Sequence, residues 1–190
     1  KNGKQEEEVN LNYAGELFLF NGYAHKQNIY DYKGRILEVI YSDTNREILN
    51  RTIYTYDKNG NLTEETNVNS EDNLCEEMRT YARKIYTYDE KGNIEEETYL
   101  DAENNLCEYY TEGAKKIYSY DKNGNLADEI FLDSHGNLFS CSKGYARKAY
   151  TYDQNNNLTK ETFYSEYNEA STPSEVGYCH HYLIYDEKNR

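Results

Sequence analysis

Three kinds of side chain recur at fixed intervals in this 190-residue sequence and could carry chemistry. Tyrosines stand in two columns: Tyr54, Tyr86, Tyr118 and Tyr150, and two residues later Tyr56, Tyr88, Tyr120 and Tyr152. Residues two apart on a strand share a face, so repeated rings could stack against sugars. These eight are the candidate ligand-binding residues. The competing and favoured reading makes them the core, each repeat stacking on the next. Carboxylates recur at Glu65, Glu97, Glu129 and Glu161, and ammonium groups at Lys84, Lys116 and Lys148. Paired carboxylates can serve as acid and base, but that work needs one made unlike its neighbour. A repeated Glu is the opposite, so a cross-strand charge ladder is expected.

Other candidates carry less. Asp57-Lys-Asn-Gly-Asn61 has the oxygens of a calcium loop but places its Gly fourth, where an EF-hand needs it sixth. Cys179 and His181 would share a strand face, yet no second ligand pair is spaced for zinc. No serine-histidine-aspartate order, phosphate loop or nucleotide fingerprint is present. The expectation is therefore a protein without catalytic, cofactor-binding or metal-binding residues. Sequons at Asn50, Asn61 and Asn157 fall in or beside turns, and matter only in a glycosylating secretory host. Of the four cysteines, Cys75 and Cys107 hold equivalent positions and read as stacked, partly buried thiols; a disulfide and the redox compartment stay open.

The elements that must hold these residues follow from the repeat. Ile53-Tyr-Thr-Tyr-Asp57, Ile85-Tyr-Thr-Tyr-Asp89, Ile117-Tyr-Ser-Tyr-Asp121 and Ala149-Tyr-Thr-Tyr-Asp153 recur every 32 residues, with further Tyr-Asp pairs at Tyr30-Asp31 and Tyr185-Asp186. A β-branched and aromatic run reads as a strand. The Asp, two polar residues and Gly that follow read as a type I turn closed by a left-handed residue. Asn156 takes that last position in one copy. A second hairpin follows twelve residues later, from Ile36 to Ile48, Leu62 to Leu74, Ile94 to Leu106 and Leu126 to Leu138. A third motif, Tyr81-Ala-Arg-Lys84 and its kin from Gly22 and Gly144, leads into the next copy. The first full unit is shorter: Ile48 to Tyr54 spans six residues where Leu74 to Tyr86 spans twelve. The third motif is thus an insertion, expected as a bulge or longer loop on one edge. Residues 164–176, with the single proline Pro173, read as an irregular loop.

Composition bounds the function. Hydrophobic residues make up 37% of the chain and Tyr alone supplies 23 residues, while Trp is absent. Tyrosine suits thin, half-wet layers better than a deep dry core, and so many aromatics exclude disorder. A net charge of −14 argues against nucleic acid and anionic membrane, and admits cations or basic proteins. The longest strongly apolar run, Leu17-Phe-Leu-Phe20, is far too short for membrane insertion.

The units resemble YD or RHS repeats, which read Tyr-x-Tyr-Asp-x-x-Gly-Asn/Arg-Leu. The match runs from Tyr54-Thr-Tyr56-Asp57 to Gly60-Asn61-Leu62, through its copies and Tyr30-Asp31 to Gly34-Arg35-Ile36. The resemblance covers Gly15 to Arg190, and it implies β-hairpin ribbons curling into shells in large bacterial surface or toxin-related proteins. It implies encapsulation, scaffolding or carbohydrate binding, although the 32-residue spacing departs from the shorter usual unit.

The expectation is an all-β fold of tandem antiparallel β-hairpin repeats forming an elongated, curled sheet or open shell. One domain spans residues 1–190, with units around 15–52, 53–84, 85–116, 117–148 and 149–190. The function expected is a non-catalytic scaffold or binding module of a bacterial surface or secreted RHS-like protein, taking carbohydrate or protein. The alternative is a cytoplasmic, immunity-type interaction protein. The repeat stops within a turn at Arg190, so the chain is expected to be an excised piece of a longer protein or to associate end to end.

Overall fold

In a computed structural model the described residues are 4–76 and 81–185. Asp186 of the last Tyr-Asp pair and the Arg190 terminus lie outside them. Twelve strands follow in chain order: β1 (Gln5–Val9), β2 (His25–Tyr30), β3 (Ile36–Ser42), β4 (Ile48–Tyr56), β5 (Leu62–Asn69), β6 (Arg83–Tyr88), β7 (Ile94–Leu100), β8 (Lys115–Tyr120), β9 (Leu126–Leu132), β10 (Arg147–Tyr152), β11 (Leu158–Tyr164) and β12 (His180–Tyr182). Each pairs with its sequence neighbours in one open sheet ordered β1 to β12. The fold is all-β, and it is built as tandem antiparallel hairpins.

The turns explain the spacing. Asp57 Oδ1 accepts from the backbone N–H of Asn59 and Asn61, both at 2.8 Å, and Asp57 Oδ2 takes the Asn61 side chain at 3.1 Å. Asp31, Asp89, Asp121 and Asp153 cap their turns in the same way. Each carboxylate sits below the usual aspartate pKa because these donors outweigh its desolvation. The fourth residue closes the turn at positive φ: 88° at Gly124 and 64° at Asn156, so asparagine keeps the left-handed form. The second hairpins use the same cap, as at Asp133, which accepts from His135 and Asn137. A bulge precedes the turns capped by Asp31, Asp57, Asp121 and Asp153, at Ile29/Tyr30, Thr55/Tyr56, Ser119/Tyr120 and Thr151/Tyr152.

The array also begins earlier than its tyrosines suggest. Asn12 Oδ1 caps Ala14 and Glu16, Gly15 closes that turn at φ 79°, and Leu11 bridges Leu17 as Leu132 bridges Leu138. Strand β1 is therefore the counterpart of β5, β7, β9 and β11. Its sequence, Gln-Glu-Glu-Glu-Val, has one β-branched residue and no aromatic, far less strand signal than the others.

The inserted motif forms a loop at the sheet end opposite the Asp57-type turns. Each long unit brings an alanine to the residue just before its next strand, where its backbone extends the ladder. Ala24, Ala82, Ala114 and Ala146 are all fully buried. Pro173, read as part of an irregular loop, is itself fully buried.

The chain divides into two compact units. One comprises residues up to Ile85 with Leu100–Asn105; the other comprises Tyr86–Tyr99 and the residues from Leu106 on. In the second, Phe131, Cys141, Tyr145 and Phe163 form a core backed by Phe139 and Val176. The Tyr145 ring lies edge-on to Phe131 at 5.7 Å and tilted against Phe163 at 5.0 Å. In the first, Asn67 takes the place of those phenylalanines. It is buried, accepting from Thr52 Oγ1 at 2.9 Å and donating to the Tyr81 carbonyl at 3.1 Å.

Two glycines of like φ should respond differently to substitution. Gly124 has open space around a Cβ, so Gly124→Ala incurs only left-handed strain, about 1–2 kcal/mol. A Cβ at Gly113, φ 75°, would run into the Leu132 carbonyl oxygen and sit 3.0 Å from Phe139. Gly113→Ala is expected to lower the thermal midpoint clearly more than Gly124→Ala; equal midpoints would refute this placement of the loop.

Candidate functional site

Cross-strand neighbours place the repeated charges and tyrosines on one face. Tyr54 stands opposite Glu65, and Glu65 opposite Lys84. In the second unit Glu97 faces Lys116, Tyr118 faces Glu129, Glu129 faces Lys148, Tyr150 faces Glu161, and Glu161 faces His181. The bonds, however, run largely along the diagonals. Tyr118 donates to Glu97 at 2.8 Å. Glu129 takes Lys116 at 2.8 Å and the Tyr150 hydroxyl at 3.3 Å. Glu161 takes Lys148 at 2.6 Å and lies 3.1 Å from His181 Nδ1. The histidine thus occupies the place that lysine holds in earlier repeats.

Burial makes these bonds obligatory. Glu97 is only 8% exposed, and an unpaired charge there would be costly. Lys116 lies 5.3 Å from the Tyr118 ring centroid and 4.9 Å from that of Phe131; Lys148 has the same relation to Tyr150 and Phe163. Burial alone would lower the Lys116 pKa, but Glu129, Glu112 and Glu97 outweigh it and hold the ammonium above its usual range. Burial, and then the neighbouring carboxylates, push the Tyr118 and Tyr150 hydroxyls far above the ordinary tyrosine value. Glu161 is desolvated too, but Lys148 and His181 hold it below its usual value.

All eight tyrosines of the two columns are half-buried. In the second column, Tyr56 donates to the Ile36 carbonyl at 2.7 Å and Tyr120 to the Ile94 carbonyl at 2.9 Å, each closing over the start of the preceding strand. Arg35 lies over the Tyr56 ring at 4.6 Å. Tyr54, Tyr86 and Tyr88 are also engaged by neighbours.

A second ladder, not singled out from the sequence, lies among the residues between these. Arg83 pairs with Glu64 at 2.6 Å, Lys115 with Glu96 at 2.8 Å, Arg147 with Asp128 at 2.7 Å and Arg51 with Glu38 at 2.8 Å. Its signal was the same 32-residue spacing, one residue before each repeated glutamate. Cys141 is buried in the core and the other three cysteines are half-buried. Among the described residues no group of three or more His, Cys, Asp or Glu is placed to hold a metal ion. Among the same residues no helix is long and apolar enough to cross a membrane. Asn50 is buried, which removes it as a glycosylation acceptor; Asn61 and Asn157 are half-buried in turns.

A further surface stands apart from the ladders. Leu11, Tyr13, Leu17, Phe18, Leu19 and Phe20 are all exposed on the loop between β1 and β2. From the sequence this stretch read only as too short for a membrane span.

No family model and no curated protein matches the chain. Among solved structures it is similar to the TcdB2-TccC3 complex, at 17% identity and a TM-score of 0.48 over 86% of this chain and 8% of that one. The same complex without its hypervariable C-terminal region aligns at 17% identity and a TM-score of 0.47 over 87% of this chain and 9% of that one. A Tc holotoxin pore from Photorhabdus luminescens aligns at 12% identity and a TM-score of 0.40 over 96% of this chain and 10% of that one. This chain spans about a tenth of the length of those proteins.

The ladder predicts stability losses at both ends of the pH scale. Glu64, Glu96 and Glu161 have depressed folded pKa values, so their contribution is complete above the unfolded value near 4.3 and is lost as pH falls below it. Tyr118 and Tyr150 have raised values, so stability is lost as pH rises beyond about 10, where only the unfolded chain ionises them. Tyr118→Phe is expected to flatten the alkaline limb of a melting-temperature profile. At neutral pH it should cost about 1.5–3 kcal/mol for the lost bond to a charged carboxylate, whereas Tyr118→Ala should cost about 3–5 kcal/mol. A thermally silent Tyr118→Ala would mean that the column is an accessible surface.

Proposed function

We propose that this chain is a non-catalytic, repeat-built scaffold that binds protein, of the kind YD or RHS repeats build in bacterial surface and secreted proteins. One observation supports this most. The recurring groups able to do chemistry are engaged with each other: Glu97 by Tyr118, Glu129 by Lys116 and Tyr150, Glu161 by Lys148 and His181. Each carboxylate in that series is already committed to a hydroxyl or a cationic side chain, with His181 beside Glu161 where earlier repeats place lysine, so none stands unengaged for acid-base work. Half-buried tyrosine hydroxyls already committed to glutamates and backbone carbonyls leave little for a sugar ring to recognise. The largest exposed apolar stretch lies elsewhere, on the loop at 11–20, and exposed apolar surface marks a protein contact more readily than a glycan site.

The reading predicts a glycan array without specific binding, and no glycan turnover by the intact chain. A glycan signal abolished by Tyr118→Phe or Tyr150→Phe, with the fold intact by melting temperature, would overturn it and restore the tyrosine columns as a carbohydrate site.

A further inference from the structure

The long units share a packing rule that the first unit breaks. In the second compact unit, the inserted-end loops that close at Gly113 and Gly144 are each covered by the corresponding loop one hairpin later. Ser142 N–H donates to the Thr111 carbonyl at 3.0 Å, and the Phe139 ring closes on Gly113. In turn, Pro173 and Ser174 lie against Gly144, and Val176 packs on the core beneath. The cover is thus a short irregular segment that brings an apolar side chain and a backbone hydrogen bond.

The loop between β1 and β2, residues 10–23, is built like the covered ones. Phe18 N–H donates to Asn10 O as Phe139 N–H donates to Phe131 O, so Phe18 is the positional counterpart of Phe139. Phe20 bridges Tyr23, and Tyr23 packs edge-on against Tyr41 at 5.0 Å, the separation at which Tyr145 lies tilted against Phe163. The next connection, however, is only the turn from Asp43 to Glu47, because this unit lacks the insertion. Among the described residues no covering segment lies there. Phe18 is 37% exposed, Leu19 55% and Phe20 53%, and Ile48 beside the short turn is 44% exposed.

Charge specifies what would fill the gap. Glu16, Asp43 and Glu47 lie in the two segments that border it, and Arg46 is turned to Glu7. In the covered case the covering segment supplies Lys143, which lines a cavity of about 40 Å³ together with Glu112 and Glu129 of the covered side. We propose that the 10–23 loop docks a protein partner, a short segment with an aromatic anchor and basic residues that takes the place of the missing insertion. A second copy of this chain would bring like charge to the acidic rim, and an anionic bilayer would be repelled by it. The inference rests on the reading of the chain as a protein-binding scaffold and names the surface.

The test uses a peptide copying residues 136–147 with Cys141→Ser, which carries Phe139, Lys143 and Arg147. Added to the full, isotope-labelled chain, it is expected to shift amide resonances of residues 10–23 and 41–48 and few others. Phe18→Ser and Leu19→Ser alter exposed positions and should leave the melting temperature unchanged, yet each should weaken binding at least about tenfold, as loss of a central anchor does. Lys143→Glu in the peptide should weaken it similarly. Absence of shifts at millimolar peptide would overturn the proposal. So would a dimer by sedimentation that Phe18→Ser disperses, which would assign the patch to a second copy. Flotation with neutral phosphatidylcholine vesicles in place of peptide binding would overturn it as well. Failure of the scaffold reading would show instead as a glycan signal sensitive to Tyr118→Phe, which these shifts do not report.

Discussion

The structure depends on one constraint: a sheet covered on one face by single loops must bury charged side chains, and every one of them must find a partner. Glu97, Glu129 and Glu161 lie under that cover, where a lone carboxylate would cost several kcal/mol. The sheet meets the cost by running bonds along the diagonal, so that Glu129 is reached by Lys116 from one neighbouring strand and by Tyr150 from the other. A tyrosine hydroxyl is well suited to this. Its ring fills the layer while its O–H donates to the carboxylate, and its proton is held firmly because burial opposes phenolate. The abundance of tyrosine and the scarcity of phenylalanine follow from this arrangement.

The same constraint fixes the period. A diagonal bond requires each repeat to present Lys, Tyr and Glu in unchanged register, and a one-residue slip would send all three to the other face. The bulges before the turns of Asp57, Asp121 and Asp153, and the aspartates that cap those turns, set that register, with the fourth turn residue held at positive φ. Asn156 shows that the backbone, not the glycine, is the invariant. It keeps the left-handed form and accepts side-chain bonds from Asn123 and Asn125 of the neighbouring turn.

Much of this was legible in the sequence, because spacing reports a repeat more reliably than any single residue does. The tandem hairpins, the turn chemistry and the charge ladder all followed from the 32-residue interval. Strand β1 did not, since its glutamates carry no strand signal and become a strand only through pairing with β2. Nor did the second ladder of Arg83, Lys115 and Arg147, which shares the interval but lacks a tyrosine to draw attention. Cys75 and Cys107 hold one position and are both half-buried, and Phe18 and Phe139 hold the same position in other units. Burial of Asn50 and Pro173 depends on loops whose path no local pattern encodes.

Departures from the repeat therefore carry more information than the repeat itself. Each regular position is explained by its neighbours above and below, so its residue type needs no further cause. Asn28 and Val39 stand opposite each other where later hairpins pair tyrosine with glutamate, and so the buried ladder stops short of the first unit. His181 replaces lysine beside Glu161, so the last step of the ladder carries a positive charge only when the ring is protonated. The missing insertion after Asp43 is the largest departure, and it falls beside the most apolar exposed loop of the chain. An array could lose a cover without harm if the loop beneath were polar, as the Asp133 turn is. Here leucines and phenylalanines remain at the surface, where apolar area is unfavourable in water. Their retention where, among the described residues, no later loop covers them is what a surface shaped for an outside segment requires.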